Sequence, residues 1–109
     1  RSMSKVDNFT DDVYLGSNTP KEWWIRCVAK LDTGATRTSI DTKLCNFLRL
    51  EKCGTTKVTN AMGSQRRKLV WLTLIWNDEV FRVKASVTDR EHLSTPIILG
   101  QDILSSTEQ

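Results

Sequence analysis

The chain has 109 residues, 39% hydrophobic and 27% charged, with few glycines and prolines. That is enough for one domain with one core, and it excludes disordered and collagen-like classes. A net charge of +3, from 16 basic and 13 acidic residues, is too mild to point to nucleic acid by itself, and no run nears the roughly twenty apolar residues of a membrane span.

Residues 1–12 are polar and read as a flexible N-terminal segment, without signal-peptide character. Arg1-Ser2 ahead of Met3 has the look of a cloning remnant, and residues 13–109 read as the single domain. "VYL" (13–15) is a short strand ended by Gly16-Ser17-Asn18, with Thr19-Pro20 as a further breaker. "WWIRCVAKLD" alternates over ten residues, which is a strand signal. Trp23, Ile25, Cys27, Ala29 and Leu31 form its core face; Asp32 points the other way unless the strand bends at its end. Gly34 breaks the strand, and "TSI" (38–40) is a second extended piece.

Asp41 or Thr42 then caps a helix, "KLCNFLRL", whose apolar stripe is Leu44, Phe47 and Leu48, closed by Gly54. "KVTNAM" (57–62) leads into a hairpin tip at Gly63-Ser64. "KLVWLTLIW" (68–76) is apolar on both faces and reads as a long central strand. Asn77-Asp78 is a turn, and "VFRVKASVT" (80–88) returns with Phe81, Val83, Ala85 and Val87 inward. "DREHLST" is loop, Pro96 opens a short strand "IIL" ended by Gly100, and "QDILSS" is a short helix. The class is mainly β with one or two short helices, hence a small barrel or sandwich.

Three cysteines, Cys27, Cys45 and Cys53, with no tight spacing argue against a disulfide framework and fit a reducing compartment such as the cytoplasm. With His92 as the single histidine, in a charged loop, no zinc ligand set is expected. The cluster Arg66-Arg67-Lys68 reads as a solvated hairpin arm, since three charges release few counterions.

Asp32-Thr33-Gly34 at a strand end has two readings. One is an Asx turn. The other is half of an active site: Gly34 lets its amide reach the Asp32 carboxylate, and Thr33 ties the loop down. Two such carboxylates about 3 Å apart cannot both ionise and so share a proton. The pair then activates a water with one carboxylate as base while the other protonates a carbonyl oxygen.

Downstream, "PIILGQDIL" places a short apolar strand and Gly100 ahead of a helix. Asp32-Thr33-Gly34-Ala35, a hairpin around Gly63, and Ile98-Leu99-Gly100 stand in the order of the retropepsin-like aspartic proteases, which residues 23–104 resemble. "GATRTSID" and "VTDREHLSTPIILG" are most similar to small bacterial and archaeal members, some of which carry an ATP-dependent zinc protease label. These residues give the zinc label no support.

The resemblance implies a small closed barrel and aspartic endopeptidase activity on an extended peptide, with no cofactor and no metal. It implies that Asp32 is the catalytic carboxylate, that Thr33 braces the two active-site loops, and that Gly34 supplies an amide. Ala35 would line the floor, and Val58 to Arg67 would form a flap with Ala61, Met62 and Gly63 near its tip. Ile40, Val58, Met62 and Ile98 are the apolar subsite candidates, with core packing the alternative for Ile40 and Ile98. Only one Asp-Thr-Gly occurs, so a dyad demands a homodimer. Related viral enzymes carry an arginine after the downstream glycine and an acid after the motif. Here Gln101 follows Gly100, and Arg37 with Asp102 could form the ion pair with signs exchanged. The usual terminal interface strand has no counterpart in the polar Ser105–Gln109.

Two other readings stand beside the protease. One is a silent peptide-binding scaffold of the same fold. The other, a barrel binding single-stranded nucleic acid through Arg66, Arg67, Lys68 and Trp23 or Trp24, is not favoured.

Overall fold

Strict alternation builds the first hairpin. β1 (Thr10–Gly16) runs antiparallel to β2 (Trp24–Leu31), with Val13 opposite Cys27 and Leu15 opposite Ile25. Val13, Leu15, Ala29 and Leu31 are buried, as expected when one face of a pleated pair meets the core. β1 begins three residues before the expected Val13. Thr10, Asp11 and Asp12 pair with Lys30, Ala29 and Val28, so these residues of the N-terminal segment are held in the ladder. A computed structural model describes residues 9–89 and 95–105; the expectations for His92, for residues 1–8 and for the terminal 106–109 lie outside the described residues.

β3 (Ser39–Asp41) leads into α1 (Thr42–Leu48). Of the two cap candidates, Asp41 is the cap: its Oδ2 accepts from the N–H groups of Lys43 at 3.0 Å and Leu44 at 3.4 Å. The expected stripe is rotated by one position. Cys45 and Leu48 are buried and Leu44 packs against the core, while Phe47 is 61% exposed and meets Trp23 edge-on at 5.2 Å. The helix ends without glycine, because Arg49 takes the left-handed conformation at φ 58°, ψ 44°. Gly54 falls instead in the next strand, at a register shift, with φ 149°.

β4 (Lys52–Asn60) and β5 (Gly63–Trp76) are joined by a turn at Ala61 and Met62. β6 (Glu79–Thr88) pairs with β5 from Leu69 to Trp76. Asn77 and Asp78, at φ 56° and 65°, make the primed two-residue turn that suits a twisted hairpin. β5 is less symmetric than its composition suggests. Val70, Leu72 and Leu74 are fully buried, while Trp71, Thr73 and Ile75 are half-buried on the opposite face. β7 (Ile97–Leu99) and α2 (Gln101–Leu104) complete the described chain.

The strands run in the order β1-β2-β7-β3-β6-β5. β5 then returns to β1, with Tyr14 opposite Ile75 and Leu15 opposite Leu74, which closes six strands into a barrel. Its core includes Val13, Leu15, Ile40, Leu72, Leu74 and Ile97. Among the described strands β4 pairs with β5 alone, outside the ring. Residues 63–68 of β5 have no β6 partner, so the hairpin over 55–68 projects from the barrel as a two-stranded arm. Among the described residues no helix is long and apolar enough to cross a membrane.

Candidate active site

Asp32 is the first residue after β2. Its N–H donates to the Leu99 carbonyl at 3.0 Å, one step beyond the parallel β2–β7 ladder. The chain then folds back on itself. Gly34 N–H donates to Asp32 Oδ1 at 3.0 Å, and Ala35 N–H donates to the Asp32 carbonyl at 3.1 Å. The carboxylate is thus held by a backbone amide. Asp32 is half-buried, while Thr33 and Gly34 are exposed at the tip of the loop.

A second loop locks the first in place. A Cβ on Gly100 would lie 2.7 Å from the Arg37 carbonyl carbon and 2.8 Å from the Ala35 oxygen, so a hydrogen is the only side chain the backbone admits. Gln101 N–H donates to the Ala35 carbonyl at 2.8 Å, and its side-chain amide donates to the Thr33 carbonyl. Asp102 accepts from Thr38 N–H at 3.0 and 3.1 Å and from the Thr38 hydroxyl at 2.8 Å. Thr38 is fully buried, and Gly100 N–H reaches its Oγ1 at 3.4 Å.

The expected Arg37–Asp102 ion pair is therefore replaced. Asp102 is taken by Thr38, and Arg37 Nη1 donates to the Lys84 carbonyl at 3.4 Å. Sequence reasoning missed Thr38. The signal available was an acid in the first turn of a helix, which seeks donors, and the nearest donor is one residue from the arginine that attracted attention.

Beside this pair of loops lies a cleft of about 700 Å³. The loop contributes Gly34 and Ala35, the underside of the arm contributes Thr56, Val58 and Arg67, and Ser39, Ser86 and Ile98 also line it. Of the residues expected near a peptide, Ala35, Val58 and Ile98 line the cleft. Ile40 is fully buried in the barrel core. Ala61, Met62 and Gly63 sit at the arm's tip, beyond the cleft lining, with Met62 95% exposed. Of the basic cluster, Arg67 lines the cleft and is half-buried, whereas Arg66 and Lys68 are exposed.

Comparison with known proteins supplies the family and the fold. Residues 26–106 match the family described as "gag-polyprotein putative aspartyl protease". Among solved structures, the chain is similar to the EIAV protease complexed with the inhibitor HBY-793, at 22% identity and a TM-score of 0.70, covering 97% of this chain and 93% of that one. It is similar to the simian foamy virus (mac) protease at 12% identity and a TM-score of 0.62, covering 91% and 99%. A Legionella pneumophila protein of unknown function follows at 20% identity and a TM-score of 0.51, covering 86% and 84%. Among curated proteins no sequence matches the chain. The likeness in structure is one of fold, and the family match spans most of the chain. The chain belongs to the gag-polyprotein aspartyl protease family and has the retropepsin-like fold.

Proposed function

We propose that the chain is an aspartic endopeptidase that works as a homodimer, with Asp32 of each protomer facing its twin across a two-fold axis. The observation that carries this reading is the Asp32 carboxylate itself, fixed by the amide of Gly34, which lines the cleft. Because one Asp-Thr-Gly exists per chain, a second copy must supply the second carboxylate. Sharing one proton, the pair draws a proton from a water with one oxygen and donates to the scissile carbonyl with another. The rigid fixing of the 32–38 loop to the 100–102 loop keeps that geometry without reorganisation during the reaction. Thr33, exposed at the loop tip, is the residue placed to brace the twin loop. The projecting arm is the element that closes over the peptide and excludes water.

A second reading, a peptide-binding domain without activity, is favoured by one fact: Asp32 itself is not among the residues that line the cleft. Incubation with a mixed peptide library, at acid and neutral pH, separates the two. The protease reading expects cleavage that Asp32→Asn abolishes and a pepstatin-type transition-state mimic blocks. Peptide binding with no cleavage, by a chain that sediments as a monomer, would establish the scaffold instead.

A further inference from the structure

Resting on the peptide-cleaving reading of the site, we propose that the cleft selects a peptide with an acidic side chain close to the scissile bond, and that Arg67 and Arg37 select it. The cleft is lined by three cations, Arg37, Lys57 and Arg67, against one acid, Asp89, and Asp89 already has a partner of its own. Arg67 is the telling member. It stands opposite Thr56 across the arm, and alternation puts it on the underside that faces the cleft, while its neighbours Arg66 and Lys68 point into solvent. Among the described residues its guanidinium makes no hydrogen bond or ion pair, although the residue is half-buried. A half-buried arginine without an anion leaves its donors open, and their planar fork matches a carboxylate.

Arg37 enters from the active-site loop. Among the described residues its side chain makes one hydrogen bond, the long contact to the Lys84 carbonyl, which leaves most of its donors unused. The residues beneath are rich in hydroxyls rather than apolar. Ser39 pairs with Ser86, both line the cleft, and Ser39 Oγ is buried with no hydrogen-bond partner among the described residues. Such a hydroxyl has unused capacity to donate to an incoming oxygen. Ala35, Val58 and Ile98 supply the apolar part of the lining, suited to the aliphatic stem of a glutamate. In a symmetric dimer the same preference recurs on both sides of the scissile bond.

Binding to the Asp32→Asn protein tests this without cleavage. Fluorescent peptides identical except for Glu, Gln or Lys flanking the central bond are titrated by anisotropy. Glu is expected to bind about tenfold more tightly than Lys, with Gln between, and the gap should shrink in high salt. Adding Arg67→Glu should reverse the order, and adding Arg67→Gln or Arg37→Gln should flatten it. Equal binding of all three peptides, or a Glu preference untouched by every arginine change, would overturn the proposal. The same peptides are then offered to the unmutated protein. If Glu is preferred in binding but nothing is cleaved, the protease reading fails and the selectivity stands. If cleavage is indifferent to Glu, Gln and Lys, the selectivity fails and the protease reading stands.

Discussion

At the scale of single residues, the site depends on side chains that bridge distant parts of the chain. Asp102 is the strongest case, since its carboxylate satisfies both donors of the buried Thr38. Asp102→Ala leaves an N–H and a hydroxyl without partners and should cost on the order of 2–3 kcal/mol in denaturant unfolding at fixed protein concentration. Asp102→Asn keeps an acceptor oxygen and should cost less. Equal losses would mean that the contact to Thr38 contributes little. The cysteines give a pH prediction. Burial, with help from the Asp12 carboxylate, pushes the Cys27 thiol from 9.0 up to about 11. Burial also raises Cys45 against the opposing pull of Lys68. Because the folded state favours the neutral thiol, the contribution of Cys27 to stability is complete below pH 9 and is lost as pH rises from 9 towards 11. Alkylation of native Cys27 at mildly alkaline pH should run slower than that of a free thiol by about tenfold or more, read by mass spectrometry. An equal rate would contradict the burial argument. The Asp32-Thr33-Gly34 turn was legible in the sequence because a glycine beside a carboxylate has a local meaning. The Thr38–Asp102 contact was not, because its partners are 64 positions apart and neither carries a motif.

At the scale of elements, hairpins were the most readable feature. Alternation marked the core face of β2, and Asn77-Asp78 marked the turn between β5 and β6. That turn holds two non-glycine residues at positive φ. Asp78→Gly should therefore stabilise the protein, by about 0.5–1 kcal/mol, as a shift in the denaturation midpoint with unchanged slope. A loss would show that the aspartate makes a compensating contact. The arm was legible as a hairpin but its extent was not. β4 starts at Lys52, not Lys57, because Gly54, which resembles a helix stop, is tolerated inside a strand at a bulge. The misplacement of Phe47 has a similar origin. A seven-residue helix offers two overlapping stripes, and only the docking of α1 on the barrel chooses between them.

At the scale of the whole molecule, the barrel closes through pairings that no local pattern announces. β7, three residues long, slots between β2 and β3 although it is last in sequence, and β1 meets β5 through two residue pairs. Only the resemblance of ordered motifs implied that closure; composition and periodicity stopped at a barrel or sandwich. Closure matters for function because it brings the "IILG" segment alongside Asp32, where the proposed dyad would be built. The homodimer is the claim on which the proposed activity depends, and its most direct measurement is the stoichiometry of a pepstatin-type transition-state mimic in calorimetric titration. The account predicts one inhibitor bound per two chains, with binding much weakened in Asp32→Asn. One inhibitor per chain, or undiminished binding by the variant, would contradict it.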